Sequence, residues 1–280
     1  MQTRMSPGRR RGLRRTALAA IIASLPCLML APPSAQAAAV TWAGGGGSNL
    51  WSDAGNWGGG LPMDGDDLTF GASARTMPVD DLGTLSLATN WRTLSLGTIT
   101  FAAGAPAYQI TISSVGSHVL ALNGAGIVNG RTFITEGGSV AFRYGGQLQF
   151  FLGASAGTAS IINNPATVDN AVSGITEFHN TSSAGSSTIT NNGGFFSSQA
   201  HTQFFDSSSA GSSTITSHGA LAANIANGTV IFSDNSTAGN ATLIANGSSD
   251  PNFYGGYTSF GAHSNAGTAT VIAKDRKSVV

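Results

Sequence analysis

The side chains that could bind a metal ion through oxygen atoms are few in this chain. Acids pair at Asp66-Asp67 and at Asp80-Asp81, with Asp64 nearby. Carboxylate oxygens are ligands that Ca²⁺ prefers in proteins. The spacing of these acids matches no calcium-binding loop, so we interpret them as solvated acids in turns. The acids therefore predict no metal site.

The histidines, glycines and serines form no pattern that indicates catalysis. No two histidines lie four residues apart and none is grouped with cysteines, as the common zinc motifs require. The glycines at 44–47 lack the Lys-Ser/Thr of a phosphate-binding loop. We predict no catalytic, cofactor-binding or metal-binding residue, and we expect that the protein is not an enzyme. The five histidines are His118, His179, His201, His218 and His263.

Residues 1–37 have the three parts of a secretory signal peptide. A basic segment that ends at Arg15 precedes an apolar stretch, 17–30, and Ala35-Gln36-Ala37 fits the small-residue cleavage rule. We expect cleavage after Ala37 and export through the periplasm to the cell surface or the medium. Arg14-Arg15 leaves the general and the twin-arginine export routes both open.

The charge of the chain after the signal peptide excludes some classes of partner. Residues 38–274 contain five basic and twelve acidic residues, which gives a net charge of −7. A weakly acidic chain without a basic patch argues against nucleic acid and against anionic membranes as partners. The single cysteine, Cys27, lies in the signal peptide, so the mature protein would have no thiol.

An Ala-Gly dipeptide returns at intervals of 28, 26, 28 and 28 residues in the second half of the chain. A period of this size indicates a repeat architecture. Each glycine has a phenylalanine seven residues before it and a branched aliphatic residue four residues after it. The dipeptides begin at Ala156, Ala184, Ala210, Ala238 and Ala266; the phenylalanines are Phe150, Phe178, Phe204, Phe232 and Phe260; the aliphatic residues are Ile161, Ile189, Ile215, Leu243 and Val271.

The composition of the repeat favours strands. Thr, Ile, Val and Phe suit a half-buried sheet, and Thr188-Ile189-Thr190 alternates with the strand period of two. Asn-Gly and Gly-Gly steps are typical of turns. The sequence therefore predicts an all-β fold, a right-handed parallel β-helix (β-solenoid) with 26–28 residues per coil. We expect the phenylalanines to stack about 4.8 Å apart and columns of Asn, Ser and Thr to hydrogen-bond between coils.

The chain divides into four parts on this interpretation. Three tryptophans lie close together near the mature N-terminus, and the first coil of a solenoid must be closed against pairing with other chains, so we expect a Trp/Gly-rich cap there. The parts are the signal peptide (1–37), the cap and first irregular coils (38–115), the β-helix repeats (116–274) and a non-native tail (275–280).

Two observations indicate that residues 275–280 are a non-native tail: their composition and a match between their coding sequence and a known DNA sequence. Residues 275–280 are charged where the repeats avoid charge, and they correspond to the translation of a common sequencing adapter. We expect the natural protein to continue after residue 274 with further coils, a membrane barrel or an anchor. Contact with a membrane would then occur only through that missing C-terminal region.

The N-terminal motif resembles a known family. The pattern Trp42-x-Gly-Gly, Trp51-Ser-Asp-x-x-Asn56-Trp57 is similar to the start of the passenger region of bacterial autotransporter-like proteins. Residues 99–110 are similar to their early strands, and residues 236–243 to passenger-associated strand repeats. The resemblance covers most of 41–274. It implies a β-helix passenger at the outer membrane or cell surface with an adhesin-like or structural role.

Three classes of function remain open. The first is a structural or adhesive surface passenger, and the second is a matrix-associated surface protein with a short C-terminal sorting anchor. The third is a β-helix enzyme that acts on polysaccharides, which would need clustered charges on one face. We expect the charges not to stack from coil to coil. The expected partners are surface glycans, host or matrix components, and other copies of the chain through solenoid ends or edges.

Overall fold

The computed structural model describes residues 39–86, 91–140, 144–196, 198–222 and 226–274. The expected signal peptide (1–37) and tail (275–280) lie outside these residues. Within them, the regular structure is β-strand except for one turn of 3-10 helix, Ala54–Asn56. The strands are β1 Ala39–Trp42, β2 Trp57–Gly58, β3 Asp67–Phe70, β4 Val79–Asp80, β5 Thr84–Leu85, β6 Arg92–Phe101, β7 Gln109–Ile112, β8 His118–Val128, β9 Thr132–Thr135, β10 Gln147–Phe150, β11 Ser160–Asn163, β12 Ile175–Phe178, β13 Thr188–Asn191, β14 His201–Phe204, β15 Thr214–Ser217, β16 Thr229–Phe232, β17 Thr242–Asn246, β18 Tyr257–Phe260 and β19 Thr270–Lys274.

The strands form two sheets that the chain visits in turn, so each regular coil adds one strand to each sheet. Sheet A has eleven strands and sheet B has eight within the described residues. Neighbouring strands of successive coils pair in parallel, as Phe178 does with Phe150 and Phe204. The fold is an all-β parallel β-solenoid of about eight turns with coils of about 28 residues, which confirms the prediction. Sheet A runs β18-β16-β14-β12-β10-β8-β6-β3-β1-β2 with β5 beside β6, and sheet B runs β19-β17-β15-β13-β11-β9-β7-β4.

The interior contains the two apolar columns that the repeat predicts. In sheet A the five repeat phenylalanines stack with ring centroids 4.7 to 4.8 Å apart and ring planes within 7° of parallel. In sheet B the aliphatic residues from Ile161 to Val271 pair in register. Since strand spacing is about 4.8 Å, each inner ring of the stack is covered on both faces by the rings of the coils before and after it. One coil alone would leave these faces exposed to water, so stability depends on neighbouring coils.

A buried polar column runs beside the apolar ones. The Nδ2 group of Asn163 donates to Asn191 Oδ1 at 2.7 Å, and Asn191 Nδ2 donates to the carbonyl oxygen of Thr229 at 2.8 Å. Thr202 Oγ1 donates to Asn191 Oδ1 at 2.9 Å. A buried amide without partners would be costly, and here the next coil supplies them. The predicted hydrogen-bonded columns are confirmed, and this one lies in the interior.

The Ala-Gly dipeptide marks a turn that only small residues fit. Gly185 has a φ of +63°, and its N–H donates to Ser183 Oγ at 3.0 Å. A Cβ atom on Gly185 would lie 2.8 Å from the carbonyl oxygen of Gly157 in the preceding coil. Ala184, the residue before this glycine, is fully buried. Positive φ and close stacking of backbones together explain why the dipeptide recurs.

The tryptophan-rich segment lies at the N-terminal end of sheet A. Strand β1 pairs in parallel with β3, and β2 pairs with β1 in the antiparallel direction at the end of the sheet. Trp42, Trp51 and Trp57 are buried around Phe70, with ring centroids 5.0 to 6.1 Å apart. This position is the one expected for the cap. Its protection of the sheet edge stays a prediction.

Candidate functional site

The N-terminal acids serve as hydrogen-bond acceptors for backbone groups. Asp64 Oδ1 accepts the N–H of Ser95 at 2.8 Å, and Asp81 Oδ1 accepts the N–H of Ser52 at 2.9 Å. Such contacts stabilise loops and do not bring the carboxylates together. In the described part of the chain, no group of three or more His, Cys, Asp or Glu side chains could hold a metal ion.

Asp80 corrects one interpretation from the sequence, because it is fully buried rather than solvated in a turn. It lies in β4, where the alternation of the strand turns its side chain inward. Its Oδ1 atom accepts the N–H of Leu82 at 3.2 Å, while Oδ2 has no partner among the described residues. Burial raises the pKa of Asp80 to about 8, and the nearby Asp81 charge acts in the same direction. The carboxyl group is therefore mostly protonated at pH 7.

One histidine forms an acid–base pair on the outer face of sheet A. His179 Nε2 lies 3.3 Å from Glu177 Oε2. The imidazole ring is stacked between Phe151 and Phe205, with centroids 4.7 Å away on each side. Both faces of the ring are thus covered by phenyl rings. Glu177 lies in β12 and His179 follows that strand directly, so the strand and the two flanking rings hold the pair in place.

The structure does not bring the other histidines into that pair. His118 Nδ1 lies 2.6 Å from the carbonyl oxygen of Leu82, and His201 Nδ1 lies 3.1 Å from that of Gln199. Burial lowers the pKa of both His118 and His201, so both are largely neutral at pH 7. Both contacts tie a histidine ring to a backbone carbonyl group.

Two acids do stack between coils, contrary to expectation. Asp206 and Asp234 occupy equivalent turn positions with φ of 54° and 55°. Asp234 Oδ2 accepts the N–H of Asp206 at 3.0 Å, and Asp206 Oδ2 accepts the N–H of Asn180 at 2.7 Å. The carboxylates accept hydrogen bonds from backbone N–H groups of left-handed turn residues, which the strand pairing does not satisfy. Their stacking therefore has a structural cause.

A groove runs along successive coils at the corner that follows sheet B. It has a volume of about 730 Å³ and continues into a smaller groove of about 430 Å³, with which it shares Pro165, Gly193 and Leu221. The groove exists because glycine, which has no side chain, forms part of its floor. A Cβ atom on Gly193 would lie 1.8 Å from the carbonyl oxygen of Gly219, so no side chain can occupy the floor there.

One wall of the groove is a column of half-buried polar side chains, one from each coil. Asn192 Nδ2 donates to Asn164 Oδ1 at 3.0 Å, and Asn246 Nδ2 contacts His218 Nδ1 at 3.3 Å. Because an amide nitrogen only donates, Nδ1 of His218 is the acceptor and the ring proton lies on Nε2. Burial, and then the charge of Lys274, lower the pKa of His218, so the wall is uncharged here at pH 7.

The lining of the groove also includes exposed apolar side chains. Val115, Phe195 and Leu221 are 71%, 58% and 47% exposed, and all three line the groove. At one end, Glu136 Oε2 accepts the N–H of Ser114 at 3.0 Å. Among the described residues that line the groove, this is the single carboxylate, and lysine and arginine are absent.

The sequence alone does not reveal this groove. The steps Asn192-Gly193 and His218-Gly219 indicate only turns. A usable signal was present, because a polar residue followed by glycine returns at the period of the repeat and reaches Asn246-Gly247. The apolar residues of the lining had no such signal, since Phe195 and Leu221 come from loops without a repeated pattern.

Comparison of the chain with models of protein families, with curated protein sequences and with solved structures gives no significant match. Within the described residues, no helix is long and apolar enough to cross a membrane.

Proposed function

We propose that the protein is an exported β-solenoid passenger with a structural and adhesive role at the cell surface. The observation that carries the proposal is the repetition of the same uncharged polar side chain on the outside of successive coils. On sheet B these side chains pair in register from strand to strand. The column is Ser160, Thr188, Thr214, Thr242 and Thr270.

Such a surface suits adhesion because many weak identical contacts add up when they are linked on one scaffold. The titratable groups support a role without catalysis, since His179 and Glu177 form only a pair and the stacked acids bind backbone groups. The basic and apolar segments of residues 1–37 support export. The resemblance to autotransporter-like passengers agrees with this role, and surface glycans or matrix components are the proposed partners.

Expression of the full chain in a Gram-negative host tests the export half of the proposal. We expect the mature chain to begin at Ala38 by mass spectrometry and to leave the cytoplasm. A matched variant, Ala35→Arg with Ala37→Arg, should remain uncleaved because the cleavage site needs small residues. Retention of the wild-type chain in the cytoplasm with an intact N-terminus would contradict export.

Bead retention tests the adhesive half. We expect beads coated with the purified chain to stay on mucin-coated or fibronectin-coated surfaces under flow. Beads coated with bovine serum albumin provide the comparison. Equal retention of the two kinds of bead on both surfaces would contradict an adhesive role.

A further inference from the structure

The groove beside sheet B has the chemistry of a site for an extended ligand. Its polar wall repeats once per coil from Glu136 through Asn164 and Asn192 to His218. Three coil steps of about 4.8 Å make this wall about 14 Å long. A ligand that follows it must therefore present hydrogen-bonding groups at regular intervals along its length.

The amide groups of this wall retain unused hydrogen-bonding capacity. In the described part of the chain, Asn164 Nδ2 and Asn192 Oδ1 have no hydrogen-bond partner, although each amide is engaged through its other atom. The proton on Nε2 of His218 adds a donor. Donors and acceptors thus alternate along one wall, which is the complement of a row of hydroxyl groups.

The apolar residues of the lining indicate the chemistry of the ligand between its hydroxyl groups. Val115, Phe195 and Leu221 are exposed along the groove, and Pro165 adds another apolar surface. A ligand with apolar faces and polar edges satisfies both parts of the lining together. Sugar rings have this character, because their axial C–H groups form apolar faces and their hydroxyl groups project from the edges.

The charge of the lining argues against a charged polymer as the ligand, and the pairing of the strands argues against an extended peptide. The single carboxylate of the lining, Glu136, already accepts hydrogen bonds from Ser114. The described lining contains no lysine or arginine, and Lys274, whose charge reaches His218, lies outside it beside Asn246. An extended peptide gains affinity from a free strand edge. The strands beside the central groove, such as β11 and β13, are paired on both sides.

We propose that this groove binds a linear, neutral polysaccharide chain that lies along the stacking direction of the coils. This rests on the proposed surface role and names the class of partner for it. Asn164, Asn192 and His218 would bind the hydroxyl edge of the chain. Phe195 and Leu221 would pack against the faces of the sugar rings.

Affinity electrophoresis of the purified full chain tests the proposal with three polysaccharides: glucomannan (neutral), alginate (anionic) and chitosan oligomers (cationic). We expect retardation by glucomannan alone. Asn192→Leu and Leu221→Glu should each weaken the apparent affinity about tenfold, because one removes a hydrogen-bonding group and the other places a charge against the sugar face. Leu61→Glu makes the same change at an exposed leucine outside the groove lining, and it should leave the affinity unchanged.

Leu221→Glu keeps the test decisive if Asn192→Leu does not fold, because Leu221 is an exposed side chain and its replacement should not unfold the chain. Each variant is compared with wild type by circular dichroism. The proposal is overturned if glucomannan causes no retardation, if alginate or chitosan retards the chain as strongly, if unfolded casein displaces the glucomannan, or if folded Leu221→Glu binds like wild type.

The outcome is separable from that of the proposed function. An exported chain that binds no glucomannan would contradict only the groove assignment. A chain retained in the cytoplasm that binds glucomannan through Asn192 and Leu221 would contradict only export.

Discussion

At the scale of single residues, the position of a ring relative to the sheet decides its contribution to stability. Phe204 is fully buried between Phe178 and Phe232, while its neighbour Phe205 lies half-buried on the outside. Two aromatic residues that are adjacent in sequence therefore offer a matched comparison.

We expect Phe204→Ala to lower the free energy of unfolding by about 3–5 kcal/mol, because it removes a buried ring and leaves a cavity. Phe205→Ala should cost clearly less, since its ring is partly in water already. Urea titration followed by circular dichroism measures both. Equal losses for the two variants would contradict the assignment of Phe204 to the interior.

Asp80 predicts a pH dependence of stability. Its pKa is raised to about 8 in the folded protein and returns to about 3.8 on unfolding. Between these values the unfolded chain releases a proton that the folded chain keeps. The contribution of Asp80 to stability is thus greatest below pH 3.8 and is lost as the pH rises to 8, at about 1.4 kcal/mol for each pH unit.

We expect Asp80→Asn to remove this loss, because the amide keeps the shape of the side chain without a charge. The difference in unfolding free energy between variant and wild type should grow in favour of the variant as the pH rises from 4 to 8. Urea titrations at a series of pH values measure it. A difference that stays constant over this range would show that Asp80 is not buried.

At the scale of the element, the turn that contains Ala-Gly sets how closely the coils approach. Gly211 has a φ of +62°, and a Cβ atom there would lie 2.5 Å from the carbonyl oxygen of Gly185. Gly153 lies in a different turn of its coil, and a Cβ atom there would meet nothing within 4 Å.

Gly211→Ala should therefore destabilise the protein by at least about 1 kcal/mol, from the unfavourable φ and the contact with backbone. Gly153→Ala should be neutral or slightly stabilising, because it restricts the unfolded chain without a clash. Thermal unfolding of the two variants provides the comparison. A larger loss for Gly153→Ala than for Gly211→Ala would contradict the description of the turn.

The regular elements could be predicted from the sequence because their causes are local or periodic. Thr188-Ile189-Thr190 specifies a strand by alternation, and the return of phenylalanine every 26 or 28 residues, as at Phe204, specifies the register. Asp80 was misinterpreted since polarity suggested solvent, whereas strand alternation turned the side chain inward. The groove was missed because Phe195 and Leu221 meet the Asn192 column only through loop conformations that no periodicity encodes.

At the scale of the whole molecule, contacts connect each coil mainly to the coils before and after it. Stability is then a sum of coil terms and interface terms between neighbours. Function should follow the same rule, since columns such as Thr188, Thr214 and Thr242 extend by one side chain with every coil. A surface role built on repetition therefore depends above all on the register of stacking.

Disulfide cross-linking tests that register most directly, in a full chain that carries Cys27→Ser so that no natural thiol remains. The pair Thr214→Cys and Thr242→Cys places cysteines on adjacent strands in register, at a Cα separation of about 4.8 Å that a disulfide can bridge. The control pair, Thr214→Cys and Gln203→Cys, places them on different sheets. We predict rapid oxidation of the first pair and none of the control; equal oxidation of both, or of the control alone, would contradict a parallel solenoid with one coil per 28 residues.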